Sequence, residues 1–286
     1  MNTNHYHPGE QENYDRKSLR GQFMQENPSI FADKLCLVTG AGQGIGLSCT
    51  KRLLAQGARV IACDLDRSTL EELYVSLSKV QQDRTTLLPF DLSDWHSIQS
   101  ACQYLLQDKL LPTHIVMCAG TLSISSALEL KPEALDNIIN VNLKGTLLLT
   151  QQLVKMLVDH NLKGSVVVIG SNAADTPRVN MSAYCASKAG IHMWVKCLAQ
   201  EVAQYGIRCN IVSPGSTRTP MQTQLWNKEH AERDVIQGDL NCRRLGIPLN
   251  KIAEPEEITD AIEFLLSDKA SHITMHDLRV DGGATF

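Results

Sequence analysis

The chain has 286 residues, 43% of them hydrophobic, and a formal charge of −4, which allows one large core or at most two domains. Lys and Arg are scattered without a basic stripe, so nucleic acid is not the expected partner, and no apolar run reaches the ~18 residues of a membrane span. Nine cysteines form no Cys-x-x-Cys pair and the nine His show no zinc-ligand spacing; thiols such as Cys36, Cys63, Cys118 and Cys209, set in apolar segments, read as reduced, buried residues of a cytoplasmic protein with no metal site.

Residues 1–30 are polar, carry Pro8, Gly9 and Pro28, and lack the apolar stretch of a secretory signal. They read as a disordered extension, with Met24 as a candidate start. From residue 31 to 286 the chain reads as one domain. Strands are expected at Leu35–Thr39, Arg59–Asp64, Thr86–Phe90, His114–Cys118, Ser165–Ile169, Ile207–Val212 and Asp277–Val280. Helices are expected at Ile45–Gln56, Arg67–Val80, Asp94–Lys109, Pro132–Asp159, Ser182–Tyr205 and Pro255–Leu266. Runs such as Val166-Val167-Val168-Ile169 are apolar on both faces, as buried parallel strands must be. Strands joined by helices specify a doubly wound α/β domain with a seven-stranded parallel sheet. Residues 214–246 break the alternation and read as an irregular, partly helical lid.

The first strand runs into Gly40-Ala41-Gly42-Gln43-Gly44-Ile45-Gly46. Glycines let the backbone approach a pyrophosphate, and the following helix offers free N–H groups and a partial positive charge. The spacing departs from Gly-x-Gly-x-x-Gly because Ile45 takes the third-glycine position, and no Gly-Lys-Ser/Thr follows as in a P-loop. Asp64 ends the second strand eighteen residues after Gly46, where a carboxylate can accept both hydroxyls of an adenosine ribose and repel a 2′-phosphate. NAD is therefore expected rather than NADP. Arg67 stands near enough to serve a phosphate or to solvate its own helix. Asp91 either meets the adenine edge or caps the next helix.

Tyr184 and Lys188 stand one helical turn apart, with Ser171 thirteen residues before Tyr184. A working phenolate near neutral pH needs its pKa lowered by roughly 3 units, about 4 kcal/mol. An ammonium about 4 Å away supplies roughly that much at an effective dielectric of ~20. The pair is thus expected to form a general base for an alcohol O–H.

Together these segments resemble the short-chain dehydrogenase/reductase family from about Asp33 to Phe286. The carriers are the Thr39–Gly46 turn, Asn142 in Asn140-Val141-Asn142, Ser171, Tyr184 with Lys188, and Pro214-Gly215. Within the family, Thr176-Pro177-Arg178, Met181–Tyr184, Arg208–Thr217, Leu225-Trp226, Leu245–Leu249 and Ser271–Thr274 are similar to the 2,3-dihydro-2,3-dihydroxybenzoate dehydrogenases of catechol siderophore synthesis. Two departures stand out. Cys118 takes the place of the Asn that supports the central sheet in the family, and Arg218-Thr219-Pro220 differs from the subfamily's pattern.

The resemblance implies a catalytic set of Tyr184, Lys188, Ser171 and Asn142. Tyr184 would take the hydroxyl proton, Lys188 would lower its pKa and hold the nicotinamide ribose, Ser171 would orient the hydroxyl, and Asn142 would hold a water. It implies NAD contacts from Gly40, Gln43, Gly44, Ile45 and Gly46 on the first turn, and from Asp64, Leu65, Asp91 and Leu92 at the next two strand ends. Further contacts come from Ala119 and Gly120, from Tyr184 and Lys188, and from Pro214, Gly215, Thr217 and Thr219. The substrate would be a small cyclohexadiene carboxylate held by Ser171, Arg178, Tyr184 and Met221. A guanidinium matches a carboxylate bidentately, although Arg178 also reads as an ordinary surface arginine. Met221, Leu225 and Trp226 would line the lid or simply pack it. A homotetramer is implied, with the helices of Asn142 and Tyr184 between subunits. The competing readings are another alcohol dehydrogenase or a 3-oxoacyl reductase of the same fold, a non-catalytic NAD sensor, and a methyltransferase, which has no use for the Tyr–Lys pair.

Overall fold

The structure, a computed structural model, describes residues 29–223, 231–240 and 243–285. The expected N-terminal extension lies outside them except for Ser29 and Ile30, as do Met24, Leu225 and Trp226. Ile30 packs on the core and Phe31 is buried edge-on against His114, 5.7 Å between ring centres. The core thus includes Ile30, just ahead of residue 31.

Seven parallel strands form one sheet. They are β1 (Leu35–Thr39), β2 (Arg59–Asp64), β3 (Thr85–Pro89), β4 (His114–Met117), β5 (Gly164–Ile169), β6 (Ile207–Pro214) and β9 (Asp277–Val280), in the order 3-2-1-4-5-6-9. A two-stranded antiparallel hairpin, β7 (Gly238–Asp239) with β8 (Arg244–Leu245), stands apart in the lid region. The helices are α1 (Gly44–Ala55), α2 (Arg67–Ser76), α3 (Lys79–Gln82), α4 (Trp95–Gln107), α5 (Pro132–Ile138), α6 (Thr146–Asp159), α7 (Ser182–Val202), α8 (Pro220–Thr223), α9 (Ala231–Gln237) and α10 (Pro255–Leu266).

The apolar strands serve two cores at once. Leu37, Ile115, Val166 and Val168 join the cluster with Ile98 of α4, Leu153 of α6 and Val195 of α7. Their neighbours Val38, Val116 and Val167 face the other way, onto Leu53 of α1, Leu70 of α2 and Ile262 of α10. Side chains alternating across a strand bury both faces, which is what a sheet covered by helices requires. The order reverses between β1 and β4, so the carboxyl ends of these strands diverge and leave a crevice for a ligand.

Two expected helices are interrupted. Arg67–Val80 divides at Ser78, whose hydroxyl and Gln81 make a reciprocal capping box that starts α3 anew. Pro132–Asp159 contains a π-helical stretch, Ile139–Gly145, between α5 and α6. Gly145 explains its position: a Cβ there would lie 2.0 Å from the Leu92 carbonyl, so only glycine lets this segment approach the end of β3. The expected strand ending at Cys118 stops at Met117, because the Cys118 and Ala119 N–H groups both donate to the Thr39 hydroxyl at 3.1 Å. That threonine clamps β4 to β1 where the family's Asn is missing.

Candidate active site

All the residues expected to touch cofactor or substrate line one cavity of about 1010 Å³ at the carboxyl ends of the strands. Of the catalytic set only Asn142 stands behind its wall.

At one end lies the glycine turn. Gly40 and Gly44 have φ of +67° and +54°, the left-handed region that favours glycine. A Cβ on Gly46 would lie 2.1 Å from the Gly40 carbonyl oxygen. Gly46, the last glycine of the Thr39–Gly46 pattern, is thus the one that lets α1 pack against the turn. Gln43 is the N-cap of α1 but makes no side-chain cap, and the first turn holds no acidic residue. The helix therefore presents uncapped N–H groups to an anion.

Asp64 closes this end. Its Oδ2 accepts the Gly42 N–H at 2.9 Å, and Oδ1 takes the Asp66 N–H at 3.3 Å. The carboxylate is fixed on the turn and lines the cavity with lone pairs to spare. Arg67 is no competitor: its Nε donates to Glu71, four residues along α2, at 2.9 Å. Asp91 takes Ser93 through both N–H and Oγ at 2.7 Å, while Asp94 caps α4. Of the two readings for Asp91, capping of α4 is excluded. Leu65 is largely exposed on the rim, an apolar platform at the outer end.

At the inner end, Tyr184 and Lys188 share a face of α7 below Ser171. The Lys188 ammonium sits 5.7 Å from the Tyr184 ring centre and donates to the Ile169 carbonyl at 2.7 Å. It lies over the ring, and its hydrogen bond is with β5. In the ligand-free chain burial, rather than the ammonium, dominates the phenol. Desolvation outweighs the Ser171 hydrogen bond and pushes the phenol up to about 12. Desolvation likewise brings the ammonium down to about 8. The phenol is therefore a proton holder in the ligand-free chain, next to a lysine whose proton is unusually easily released.

Asn142 sits in the π-helical stretch, fully buried. Its Oδ1 accepts the Thr121 N–H at 2.7 Å, and its Nδ2 donates to the Thr121 carbonyl at 2.9 Å and to Ser187 Oγ at 3.2 Å. These bonds fasten Gly120 and Thr121 beside the lysine and leave one lone pair on Oδ1. Ser171 caps the turn Asn172–Ala174 by accepting the Ala173 N–H at 3.1 Å.

The wall facing the catalytic set comes from the Pro177–Met181 loop and the lid. Arg178 is half-buried there, with its pKa lowered by that burial. Among the described residues no carboxylate pairs with it. Met221 of α8 lines the same space. Sequence reasoning missed Arg243 and Arg244, which reach the cavity from the β7–β8 hairpin; Arg244 is tied to Ser216 Oγ at 2.7 Å. The departing residue Arg218 faces elsewhere. It pairs with Glu232 of α9 and Glu254 at the start of α10, fixing the lid helix to the body.

Comparison with known proteins agrees with this geometry. The short chain dehydrogenase family model matches residues 34–230. A vibriobactin-specific 2,3-dihydro-2,3-dihydroxybenzoate dehydrogenase from Vibrio cholerae is 47% identical, over 90% of this chain and 97% of its own length. A 2,3-dihydro-2,3-dihydroxybenzoate dehydrogenase from Bacillus subtilis is 41% identical over 88% and 96%. Among solved structures, a 4-hydroxyisoleucine dehydrogenase complexed with NADH is similar, with a TM-score of 0.79 and 28% identity over 88% of this chain and 98% of that one. By its sheet order, its glycine turn, its Ser–Tyr–Lys arrangement and these relatives, the chain belongs to the short-chain dehydrogenase family.

Proposed function

We propose that the protein oxidises 2,3-dihydro-2,3-dihydroxybenzoate to 2,3-dihydroxybenzoate with NAD, in catechol siderophore synthesis. The observation that carries this is the half-buried Arg178 guanidinium, without a carboxylate partner among the described residues, in the wall of the same cavity as Ser171 and Tyr184. An unpaired guanidinium in such a wall favours an anionic substrate, and a benzoate-type carboxylate meets it bidentately.

The residues fit a dinucleotide. The uncapped start of α1 would hold the pyrophosphate, Asp64 the ribose hydroxyls, and Leu65 with Asp91 the adenine end, while Leu92, Ala119, Gly120, Pro214, Gly215, Thr217 and Thr219 line the same cavity. Bound NAD supplies a hydride acceptor. Ser171 orients the substrate hydroxyl, and Tyr184 takes its proton as the phenol's own proton leaves towards the Lys188 amine, which is free to receive it above about 8. Asn142 keeps the wall beside that lysine in place and offers its last lone pair to a water. The carbonyl formed on the ring enolises to a catechol, and aromatisation drives the oxidation forward.

The described parts of the 214–246 segment would act as a lid over the substrate, with Val235 packed against Ile247, Ile252 and Ala284 in a small core. A homotetramer built on the helices that carry Asn142 and Tyr184 completes the proposal; light scattering of the purified protein would sink it by giving a monomer mass. Steady-state assays with the dihydrodiol test the function itself. NADH and 2,3-dihydroxybenzoate should form together, with kcat/KM higher for NAD than for NADP. No turnover of this acid, alongside turnover of a neutral alcohol or a thioester, would sink it.

A further inference from the structure

Tyr184, Lys188 and His192 follow one another at single-turn intervals on α7, and His192 does not line the cavity. It is buried behind Ser171. The Ser171 N–H donates to its Nε2 at 3.4 Å, and its Nδ1 lies 3.3 Å from Asp277 Oδ2 on β9. Ser213 Oγ, at the end of β6, lies 3.3 Å from the same Nε2 and donates its own proton to Asp277 Oδ1. Gly170 makes the room: a Cβ there would stand 2.2 Å from Nε2 and 2.9 Å from Ser213 Oγ.

This arrangement fixes the tautomer. A nitrogen that accepts the Ser171 N–H carries no proton, so Nδ1–H faces the Asp277 carboxylate. The Ser213 hydroxyl is already committed to Asp277, so in this state it has no proton for Nε2. A second proton reverses the arrangement. Nε2–H then donates to Ser213 Oγ, and the buried Ser171 N–H loses its acceptor. One imidazole edge serves either serine, never both.

We propose that His192 is a positioning residue for Ser171: neutral, it anchors the serine backbone; protonated, it turns its Nε2–H to Ser213 and releases that anchor. The inference rests on reading Ser171 as the serine that orients the substrate hydroxyl. The charged groups that act on the imidazole are Asp277 on β9, Asp175 after the Ser171 turn, and Lys188 and Lys196 on α7. Burial, the largest influence, holds the imidazole below its ordinary value, and Asp277 works in the opposite direction. Neutral His192 is thus the working form at neutral pH, and the anchor fails as pH falls through its lowered value.

The test is the pH dependence of kcat/KM for the dihydrodiol at saturating NAD, over roughly pH 5 to 9. In the parent, the logarithm of kcat/KM should fall with a slope near one as the Tyr184–Lys188 pair is protonated. It should steepen towards two below about 6.5, where His192 takes its proton. His192→Gln keeps an acceptor near the Nε2 position but does not titrate. Its slope should stay near one, with turnover at high pH within about threefold of the parent. Asp277→Asn removes the carboxylate that favours the imidazolium, so the steepening should move to lower pH. A parent profile without the steepening, or the same steepening in both variants, overturns the inference. Ser171→Ala separates the two levels. If it turns over normally, the reading of Ser171 has failed; if it is inactive while His192→Gln keeps the parent profile, only the role of His192 has failed.

Discussion

At the dinucleotide end of the cavity the recognising surface is mostly backbone. It consists of a turn made by Gly40, Gly44 and Gly46, an uncapped helix start, and one carboxylate, Asp64, fixed by the turn itself. At the proposed substrate end the cavity wall is made of side chains on loops: Arg178 before α7, Met221 on a four-residue helix, and Arg243 and Arg244 on a short hairpin. Backbone recognition demands particular residue types at fixed spacing, because glycine is favoured at a positive φ and only glycine fits a 2.1 Å approach. Loop recognition demands only that some suitable side chain arrive. The first kind serves any reaction that uses the cofactor; the second selects the molecule to be oxidised.

The sharpest way to break the backbone end is Gly46→Ala. The added Cβ meets the Gly40 carbonyl oxygen, which no rotamer relieves, so α1 must shift from the turn. We expect NAD affinity to fall by about a hundredfold or more, read by fluorescence titration, with lower thermal stability. Unchanged NAD affinity would show that the turn does not depend on that approach. The loop end answers to Arg178→Ala. KM for the dihydrodiol should rise by about ten- to a hundredfold, the scale of a lost charge-assisted bond, while NAD affinity holds. An unchanged KM would move the carboxylate to Arg243 or Arg244. Asp64→Asn probes a single pair of hydrogen bonds at the backbone end. It should narrow the preference for NAD over NADP by roughly tenfold, read as a ratio of kcat/KM values.

A smaller effect tests the junction between the two ends. Lys188 titrates at about 8 in the fold, below its ordinary 10.5. The folded state therefore binds fewer protons than the unfolded state between those values. Stability from this group is present above the ordinary value and is lost as pH falls through about 8. The full cost, about 3 kcal/mol, applies below that. Lys188→Met should abolish turnover yet unfold at an equal or higher temperature than the parent at pH ~7. The difference between the two proteins should shrink as pH approaches ~10. A lower unfolding temperature for the variant at neutral pH would show that the Ile169 bond outweighs the desolvation.

The same contrast explains what the sequence revealed. The strands were legible to within two residues because unbroken apolar runs such as Val166–Ile169 have no other use in a soluble α/β domain. Asp64, Ser171, Tyr184 and Lys188 came with them, since each lies at a strand end or at helical spacing. Three features depended on contacts made across the fold. The π-helical stretch is set by Gly145 against Leu92 and by Asn142 bonding Thr121. The close approach of Gly46 to the Gly40 carbonyl is set by how α1 packs on the turn. Arg243 and Arg244 reach the cavity from a hairpin whose surrounding segment carries no periodicity to read. The burial of the phenol was not legible either, because spacing places an ammonium on the same helix face but says nothing of desolvation.

The two ends meet at Tyr184, and there one measurement tests the account most directly: a single turnover with excess enzyme, following NADH and 2,3-dihydroxybenzoate together. The parent should form one of each per substrate consumed, and Tyr184→Phe should bind NAD with parental affinity and form neither. Product formation by Tyr184→Phe at a rate near the parent's would contradict the account, because the proton would then be leaving by a route that does not pass through the phenol.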